Sequence, residues 1–345
     1  MTGTGDAPST LGFSLKLLPS GNEVFCRTDQ TLLDSCILAG IPVPYNCRSG
    51  ECGECMAALI SGQVQELPGA DPAVFTDAHR AQGDVLMCLC FPCSPVVLNV
   101  PLEEQATTIR PTTFNVMVQR VGPVSPTIFG VTVETPWPIE FQAGQNFEWV
   151  LPGISPNRTY SAANAPGNDV IDFHVRVYPG GKVGEYVSRM SIGQPFAMIG
   201  PFGHFGLTTN HWRRALCVAG GTGLAPILSV LDRAFDDADK RPITLLYGAR
   251  TEDELYCLER LLSWTKSIHT FSFIPVLSHE PTQSAWAGRR GLVTEALEQE
   301  LGDVFGLEAY VCGPPAMIDA AVNVLEAAGV PTQDIRTDRF VQAKS

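Results

Sequence analysis

The chain has 345 residues, of which 45% are hydrophobic and 17% charged, and its formal net charge is −13. That length suggests two or three domains, and the acidic balance disfavours nucleic acid or an anionic membrane as a partner. No apolar run is long enough to span a bilayer, and the first residues lack the basic and apolar regions of a signal peptide. Most of the eleven cysteines are clustered, which favours metal ligands over disulfides and predicts a reducing, cytoplasmic location.

The first part of the chain alternates short apolar runs with turns. Residues 11–25 predict a β-hairpin, and residues 31–39 place their apolar side chains on one helical face that Gly40 ends. Residues 57–60 and 95–100 predict later strands. Between these elements stands the densest group of cysteines in the chain.

Three cysteines, Cys47, Cys52 and Cys55, have C-x4-C-x2-C spacing, and Cys88 closes a later apolar run. This spacing is typical of a [2Fe–2S] cluster, in which four thiolates hold two irons. Gly50 and Gly53 permit a tight loop around such a cluster because they tolerate positive φ. The cysteines at 90 and 93 are also close, so the fourth ligand is open at this point.

A zinc site is the alternative, because the pairs Cys52/Cys55 and Cys90/Cys93 could form two knuckles. Their gap of 34 residues is longer than the usual zinc-ribbon spacing, and Cys47 would have no role. The element order resembles the β-grasp fold of plant-type ferredoxins, which we expect over residues 1–103. In that family the fourth cysteine follows a Leu-x-Cys pattern, so the resemblance favours Cys88 over Cys90.

Residues 104–111 are polar, end in proline and predict a linker. Five strand-like runs punctuated by Gly and Pro follow, which predicts a small antiparallel β-barrel over residues 112–209. These runs are residues 114–121, 128–133, 147–151, 170–177 and 196–199.

From residue 215 the pattern changes to strands alternating with helices. Strands are expected at 215–219, 243–247, 271–277 and 309–311, and helices at 224–231, 292–301 and 315–328. This order predicts an α/β domain with a doubly wound parallel sheet over residues 210–345.

Two segments of the barrel region suit a flavin. In Arg158-Thr159-Tyr160-Ser161, strand alternation delivers a cation and an aromatic ring to one face. A second segment has a glycine-rich turn leading into a helix, whose free N–H groups can bind phosphate. The candidate flavin-binding residues are Arg158, Thr159, Tyr160, Ser161, His174, Val175, Arg176, Val177, Gly181, Lys182, Val183 and Gly184.

Arg-x-Tyr-Ser followed by these glycine-rich turns resembles the ferredoxin–NADP reductase superfamily. The resemblance implies FAD, with Arg158 on a phosphate, Tyr160 stacked on the ring and Ser161 near N5. Gly184 departs from the family, which has Ser or Thr at that place, so weaker FAD binding is expected.

A third glycine-rich turn, Gly220-Gly221-Thr222-Gly223, connects a predicted strand to a helix. Pro226 stands where a G-x-G-x-x-G motif has its last glycine, so that motif is absent. The turn can still bring backbone close to a pyrophosphate at a helix N-terminus. It resembles the Gly-Gly-Thr-Gly-x-x-Pro segment of the same superfamily. The candidate nicotinamide-site residues are Gly221, Thr222, Gly223, Pro226, Gly248, Arg250, Cys312, Gly313, Pro314 and Phe340.

The resemblance implies roles for the last strands. Cys312 would lie beside the nicotinamide and, with Ser161, position the reacting atoms. Asp338-Arg339-Phe340 resembles the Glu-x-Tyr end of plant-type reductases, so Phe340 either covers the flavin or anchors the core. NADH is favoured over NADPH because acidic residues follow Arg250, and because Ser278-His279-Glu280 stands where the resembling NADPH enzymes tend to have Ser-Arg.

The three modules in this order resemble the reductase components of bacterial ring-hydroxylating dioxygenases. That implies electron flow from NADH through FAD and the cluster to a terminal oxygenase component, Rieske or di-iron, or to its ferredoxin, with the chain acting as a monomer. Reductases of di-iron monooxygenases and of 3,6-dideoxyhexose synthesis are the alternative. A metal-binding interaction protein with degenerate cofactor sites is a further hypothesis, which an absorption spectrum without flavin bands would favour.

Overall fold

The structure, a computed structural model, describes residues 11–102, 109–208 and 210–341. The chain divides into two compact units, residues 1–111 and 112–345. Most of the predicted linker, residues 104–108, lies outside the described residues. The predicted boundaries of the three domains therefore stay predictions. None of the described helices is long and apolar enough to cross a bilayer.

The first unit is built on a five-stranded sheet. Its elements are β1 (Gly12–Leu18), β2 (Glu23–Arg27), α1 (Leu32–Ala39), β3 (Met56–Ser61), β4 (Val64–Glu66), α2 (Asp77–Gln82), β5 (Asp84–Leu86), β6 (Cys90–Pro92) and β7 (Val96–Asn99). The strand order is β2-β1-β7-β3-β5, and only the β1–β7 pair in it is parallel. The Thr31 hydroxyl caps α1 by accepting from Asp34 N at 3.0 Å, and left-handed Gly40 ends it.

Helix α2 was not expected from the sequence. None of its six residues is buried, so it has no apolar stripe that a periodic pattern could show. The helix depends instead on its ends: Thr76 and His79 form a reciprocal cap at the start, and Gly83 is left-handed at the end.

The second unit begins with a six-stranded antiparallel sheet in the order β11-β10-β13-β8-β9-β12. Its elements are β8 (Thr112–Ser125), β9 (Ile128–Glu134), β10 (Asn146–Val150), β11 (Arg158–Ser161), β12 (Val170–Arg176), α3 (Lys182–Ser188) and β13 (Pro195–Phe202). A bridge between Ala162 and Phe173 joins the two outer strands, so the sheet closes into a barrel. Its core packs around the buried rings of Phe147, Trp149 and Phe173.

A six-stranded parallel sheet completes this unit, in the order β17-β16-β15-β14-β18-β19. Its elements are β14 (Arg214–Gly220), α4 (Leu224–Asp236), β15 (Ile243–Ala249), α5 (Leu258–Ser267), β16 (Phe271–Leu277), β17 (Arg289–Arg290), α6 (Val293–Glu300), β18 (Leu307–Gly313), α7 (Pro315–Ala327) and β19 (Ile335–Arg339). Apolar clusters cover both faces of the sheet. The predicted fold class, a ferredoxin-like β-grasp, an antiparallel barrel and a doubly wound α/β sheet, is confirmed.

Candidate functional site

The loop between α1 and β3 surrounds the sulfur of Cys47. Backbone N–H groups of Ser49, Glu51 and Cys52 donate to its Sγ at 3.4, 3.3 and 3.3 Å. Gly50 has a φ of +83°, which favours glycine and turns the loop back on itself. The loop is therefore shaped to present donors to a thiolate, as a cluster sulfur requires.

The four predicted ligands meet as two pairs. Cys47 is hydrogen-bonded to Cys52, and Cys55 to Cys88. The thiol of Cys52 and the backbone donors lower the pKa of Cys47 to about 5, whereas the bond to Cys55 and burial raise the pKa of Cys88. Cys90 lies in β6 opposite Glu66, so the geometry favours Cys88 as the fourth ligand.

This donor set fits a two-iron cluster, since each iron takes two of the four thiolates. Among the residues that the structure describes, no three His, Cys, Asp or Glu side chains converge as a single metal ion would require. The pairs Cys47/Cys52 and Cys55/Cys88 supply two thiols to each of two adjacent positions. The arrangement therefore suits [2Fe–2S] better than zinc.

A second segment, residues 70–75, packs on the cluster loop, and no motif in it predicts this contact. Asp71 N donates to Gly50 O at 3.0 Å. A Cβ on Gly50 would lie 3.2 Å from Ala70 Cα and 2.5 Å from Leu89 Cδ1, and one on Gly53 would lie 2.7 Å from Val74 Cγ1. These close contacts and the positive φ of both residues disfavour any larger side chain at the two positions.

The first flavin segment is strand β11, which pairs antiparallel with β10. Arg158 stands opposite Trp149, whose ring centroid is 4.6 Å from that of Tyr160. Tyr160 is half-buried, Ser161 is buried and Thr159 is exposed. Arg158 donates to the carbonyl oxygens of Pro156 and Asn157, which holds its guanidinium near the start of the strand.

The second flavin segment follows β12, whose alternate residues face the parallel-sheet part of the unit. The ring of His174 meets that of Tyr256 edge-on at 4.8 Å, and burial lowers the pKa of His174 to about 4. Two residues later, Arg176 lies against the nicotinamide turn: a Cβ on Gly221 would be 2.6 Å from its Nη2. Val175 points into the barrel core instead.

The packing of helix α3 suits glycine at position 184, where the resembling family has Ser or Thr. This residue is buried against β12, and a Cβ there would lie 2.8 Å from Val177 Cγ1. A serine or threonine would collide with that side chain. The backbone donors of Lys182 and Val183 remain available, because the first N–H groups of a helix have no partner within it.

The nicotinamide turn, Gly221–Gly223, connects β14 to α4 and touches the end of β18. A Cβ on Gly223 would lie 2.2 Å from Cys312 O, and one on Gly313 would lie 3.1 Å from the backbone of Gly220. The two segments are therefore in direct backbone contact. Pro226 falls in the first turn of α4, where proline is tolerated, and Pro314 directly precedes α7.

The end of β15 lies beside this turn, since Gly248 pairs with Gly220. Arg250, two residues on, is exposed. Close to it, Glu280 Oε2 accepts from Glu252 N at 2.8 Å, and this bond lowers the pKa of Glu280. A carboxylate thus holds together the loops that follow β15 and β16.

Three buried side chains join the barrel to the parallel sheet. Ser161 Oγ donates to Asp338 Oδ2 at 3.3 Å, and the Cys312 thiol is also hydrogen-bonded to Asp338. Burial and the Asp338 carboxylate raise the pKa of Cys312, which keeps it a neutral thiol. The central position of Asp338 between the two was missed, because nothing in the sequence brings residues 161, 312 and 338 together.

Phe340 follows β19, and its N–H donates to Gly313 O at 2.9 Å. The ring is half-buried and packs against the apolar core of the sheet. This placement is compatible with both predicted roles, a core anchor and an aromatic cover.

Three domain families match the chain in this order. The 2Fe-2S iron-sulfur cluster binding domain matches residues 15–93, the oxidoreductase FAD-binding domain residues 120–207 and the oxidoreductase NAD-binding domain residues 217–323. These matches confirm the predicted cofactors, [2Fe–2S], FAD and NAD(H).

Two relatives match this chain over nearly the full length of both proteins. The phenol hydroxylase P5 protein of Acinetobacter pittii is 32% identical, with 96% of each chain covered. The reductase component DmpP of phenol 2-monooxygenase from Pseudomonas sp. (strain CF600) is 30% identical, again with 96% of each chain covered. Among solved structures, the Amycolatopsis cytochrome P450 reductase GcoB has a TM-score of 0.83 and 29% identity, covering 95% of this chain and 98% of that one.

Proposed function

Because this chain belongs to the family of reductase components that join a [2Fe–2S], an FAD and an NAD domain, we propose that it passes electrons from NADH to the oxygenase component of an aromatic-ring-hydroxylating dioxygenase system. The observation that carries the proposal is the buried contact of Ser161, Asp338 and Cys312, which joins the flavin strand to the nicotinamide segment. When bound, FAD links the two-electron chemistry of NADH to the one-electron chemistry of the cluster.

Each group of site residues would bind a different cofactor. Cys47, Cys52, Cys55 and Cys88 would hold the two irons. Arg158 and the first turn of α3 would bind the FAD phosphates, and Tyr160 would cover the ring. Arg176 was expected to bind the flavin, but its place against Gly221 supports contact with the nicotinamide pyrophosphate, since a guanidinium can bind two phosphate oxygens at once.

Ser161 and Cys312 would position reacting atoms, with no role as nucleophiles. Both hold hydrogen bonds to Asp338, so each hydroxyl or thiol has a fixed direction. The raised pKa of Cys312 keeps its thiol neutral beside the Asp338 carboxylate. This supports hydride transfer by orientation and exclusion of water, two effects that need no acid–base dyad.

The partner would dock on the outer side of the cluster loop, around exposed Ser49 and half-buried Glu51. The solved structure of a ferredoxin reductase in carbazole 1,9a-dioxygenase, with a TM-score of 0.74 and 27% identity, supports a dioxygenase partner. The phenol and propane monooxygenase relatives support a multicomponent monooxygenase as the second candidate. Action as a monomer in the cytoplasm stays a prediction.

Reconstitution with purified partners tests the proposal. Under anaerobic conditions NADH should bleach both the flavin and cluster absorption of the holoprotein, with a lower Michaelis constant for NADH than for NADPH. Adding a Rieske dioxygenase component should then support product formation. Product formed only with a monooxygenase component would select the second candidate, and no bleaching by NADH would overturn both.

A further inference from the structure

Helix α4 carries one hydroxyl in an otherwise apolar stretch. Ser229 is its sixth residue and is 0% exposed, with Leu228 and Val230 on either side. Its Oγ donates to Asn164 O at 2.6 Å and accepts from Gly144 N at 3.2 Å. Both partners belong to the flavin barrel, so this hydroxyl bonds the nucleotide-binding part of the unit to the barrel backbone.

The two partners flank the same end of one strand pair. Gly144 lies two residues before β10, and Asn164 lies three residues after β11. Between them, Ala162 N donates to Gln145 O at 3.0 Å and extends the ladder. This is the end that carries Ser161, so Ser229 fixes the strand end nearest the reacting position.

The backbone groups of Gly144 and Asn164 that bond Ser229 are each constrained by further contacts. Gly144 has a φ of +87°, and a Cβ on it would lie 2.7 Å from Phe205 O and 3.1 Å from Val230 Cγ2. The Asn164 side chain donates to Val170 O at 3.0 Å and accepts from Asp172 N at 2.9 Å. The two backbone groups are therefore held in place, and Ser229 docks α4 onto a rigid pair.

The same helix begins at Leu224, directly after the Gly221–Gly223 turn. At a rise of 1.5 Å per residue, roughly 8 Å of helix separates Leu224 from Ser229. Helix α4 is thus a short rigid spacer between the turn that would hold the nicotinamide dinucleotide and the strand end beside the flavin.

We propose that Ser229 is a positioning residue that sets the distance and angle between nicotinamide and flavin. The inference rests on the proposed function. Replacement by alanine would leave Gly144 N–H and Asn164 C=O without this partner and let α4 tilt on the barrel. Since displacements of about 1 Å can cost two orders of magnitude in rate, flavin reduction at saturating NADH should slow by about 10- to 100-fold. The dissociation constant for NADH, which depends on the turn, should change little.

The test compares Ser229→Ala with Ser229→Thr, which keeps the hydroxyl, and with Ser263→Ala. Ser263 is a matched control: it is an exposed helical serine whose Oγ donates to Arg260 O at 2.8 Å. Anaerobic stopped-flow absorbance, normalised to flavin content, gives the reduction rate, the NADH dissociation constant and the long-wavelength absorption of a stacked nicotinamide and flavin. Hydrogen exchange of the peptide containing Gly144 gives a readout that does not depend on turnover.

In Ser229→Ala we expect slow reduction, weaker long-wavelength absorption and faster exchange at Gly144, with values close to wild type in Ser229→Thr and Ser263→Ala. If Ser229→Ala holds no flavin, Ser229→Cys replaces it, because a thiol is a weaker donor of similar size. A wild-type rate and absorption band in the flavin-loaded variant would overturn the inference alone. Failure of NADH to reduce the wild-type flavin would instead overturn the proposed function.

Discussion

The cluster loop and the Ser161–Asp338–Cys312 site are built in opposite ways. Three of the four cluster thiols and all three backbone donors to Cys47 come from one loop of the first unit. In the second site, residues 161, 312 and 338 meet only because a barrel strand packs against two strands of the parallel sheet. Substitutions within the cluster loop should therefore be the ones that disable the cluster site. The second site should also lose activity when residues that touch no cofactor are substituted.

The sharpest test of this contrast is Cys47→Ser. Loss of this thiolate should abolish NADH-dependent reduction of cytochrome c, because that one-electron transfer needs the cluster. Reduction of ferricyanide should remain largely intact, since the flavin can serve a small oxidant. Cys93→Ser, at an exposed cysteine, is the control. Equal loss of both activities would contradict a linear path through the cluster.

Gly223→Ala should break the second site while the cluster stays intact. The new Cβ would lie 2.2 Å from Cys312 O, so the turn and β18 must separate. We expect flavin reduction by NADH to slow by about 100-fold and the free energy of unfolding to fall by about 1–3 kcal/mol. Stopped-flow absorbance and urea titration measure these effects.

Gly122→Ala is the matched change, because a Cβ there meets nothing within 4 Å. The cluster absorption should be unchanged in both variants. A Gly223→Ala protein with wild-type reduction kinetics would show that the close contact with Cys312 is not needed.

Arg158→Ala should weaken FAD binding. Loss of a charge-assisted hydrogen bond to phosphate costs about 1.5–3 kcal/mol, which corresponds to roughly 10- to 150-fold in the dissociation constant. Gel filtration should then yield protein depleted of flavin but not of iron. Arg189→Ala is the control, since its side chain is 80% exposed and pairs only loosely with Glu185. Full FAD retention would argue against a phosphate role for Arg158.

The smallest expected effect concerns pH. Burial lowers the pKa of His174 from 6.5 to about 4, so between those values the unfolded chain binds more protons than the folded one. Stability should therefore fall as the pH drops from 6.5 towards 4, by at most about 3 kcal/mol from this group. His174→Phe should flatten the decline of Tm over that window.

His269→Phe, at an exposed histidine, should leave the decline unchanged. His204 has a similarly lowered pKa, because it too is buried, so part of the decline should persist in His174→Phe. Identical Tm profiles for wild type and His174→Phe would mean that His174 is not kept neutral by burial.

Local features of this protein were the most predictable from its sequence. Cysteine spacing and glycine-rich turns leave signatures within a few residues, because they constrain backbone path and ligand geometry over a short segment. Helix α2 was not predicted, because none of its residues is buried. The cysteine spacing also did not decide between Cys88 and Cys90 as the fourth cluster ligand. The assignment of Arg176 to the flavin stays a prediction, and the structure places its side chain against Gly221.

Local sequence patterns were sufficient to predict the fold class, the order of the three modules and the three cofactors. Three contacts are visible only in the folded chain: Cys55 pairs with Cys88, Asp338 links Ser161 to Cys312, and Ser229 joins α4 to the barrel. The reason is physical: these contacts join residues far apart in the chain. Their geometry follows from how buried faces pack, and packing leaves no fixed spacing in the sequence.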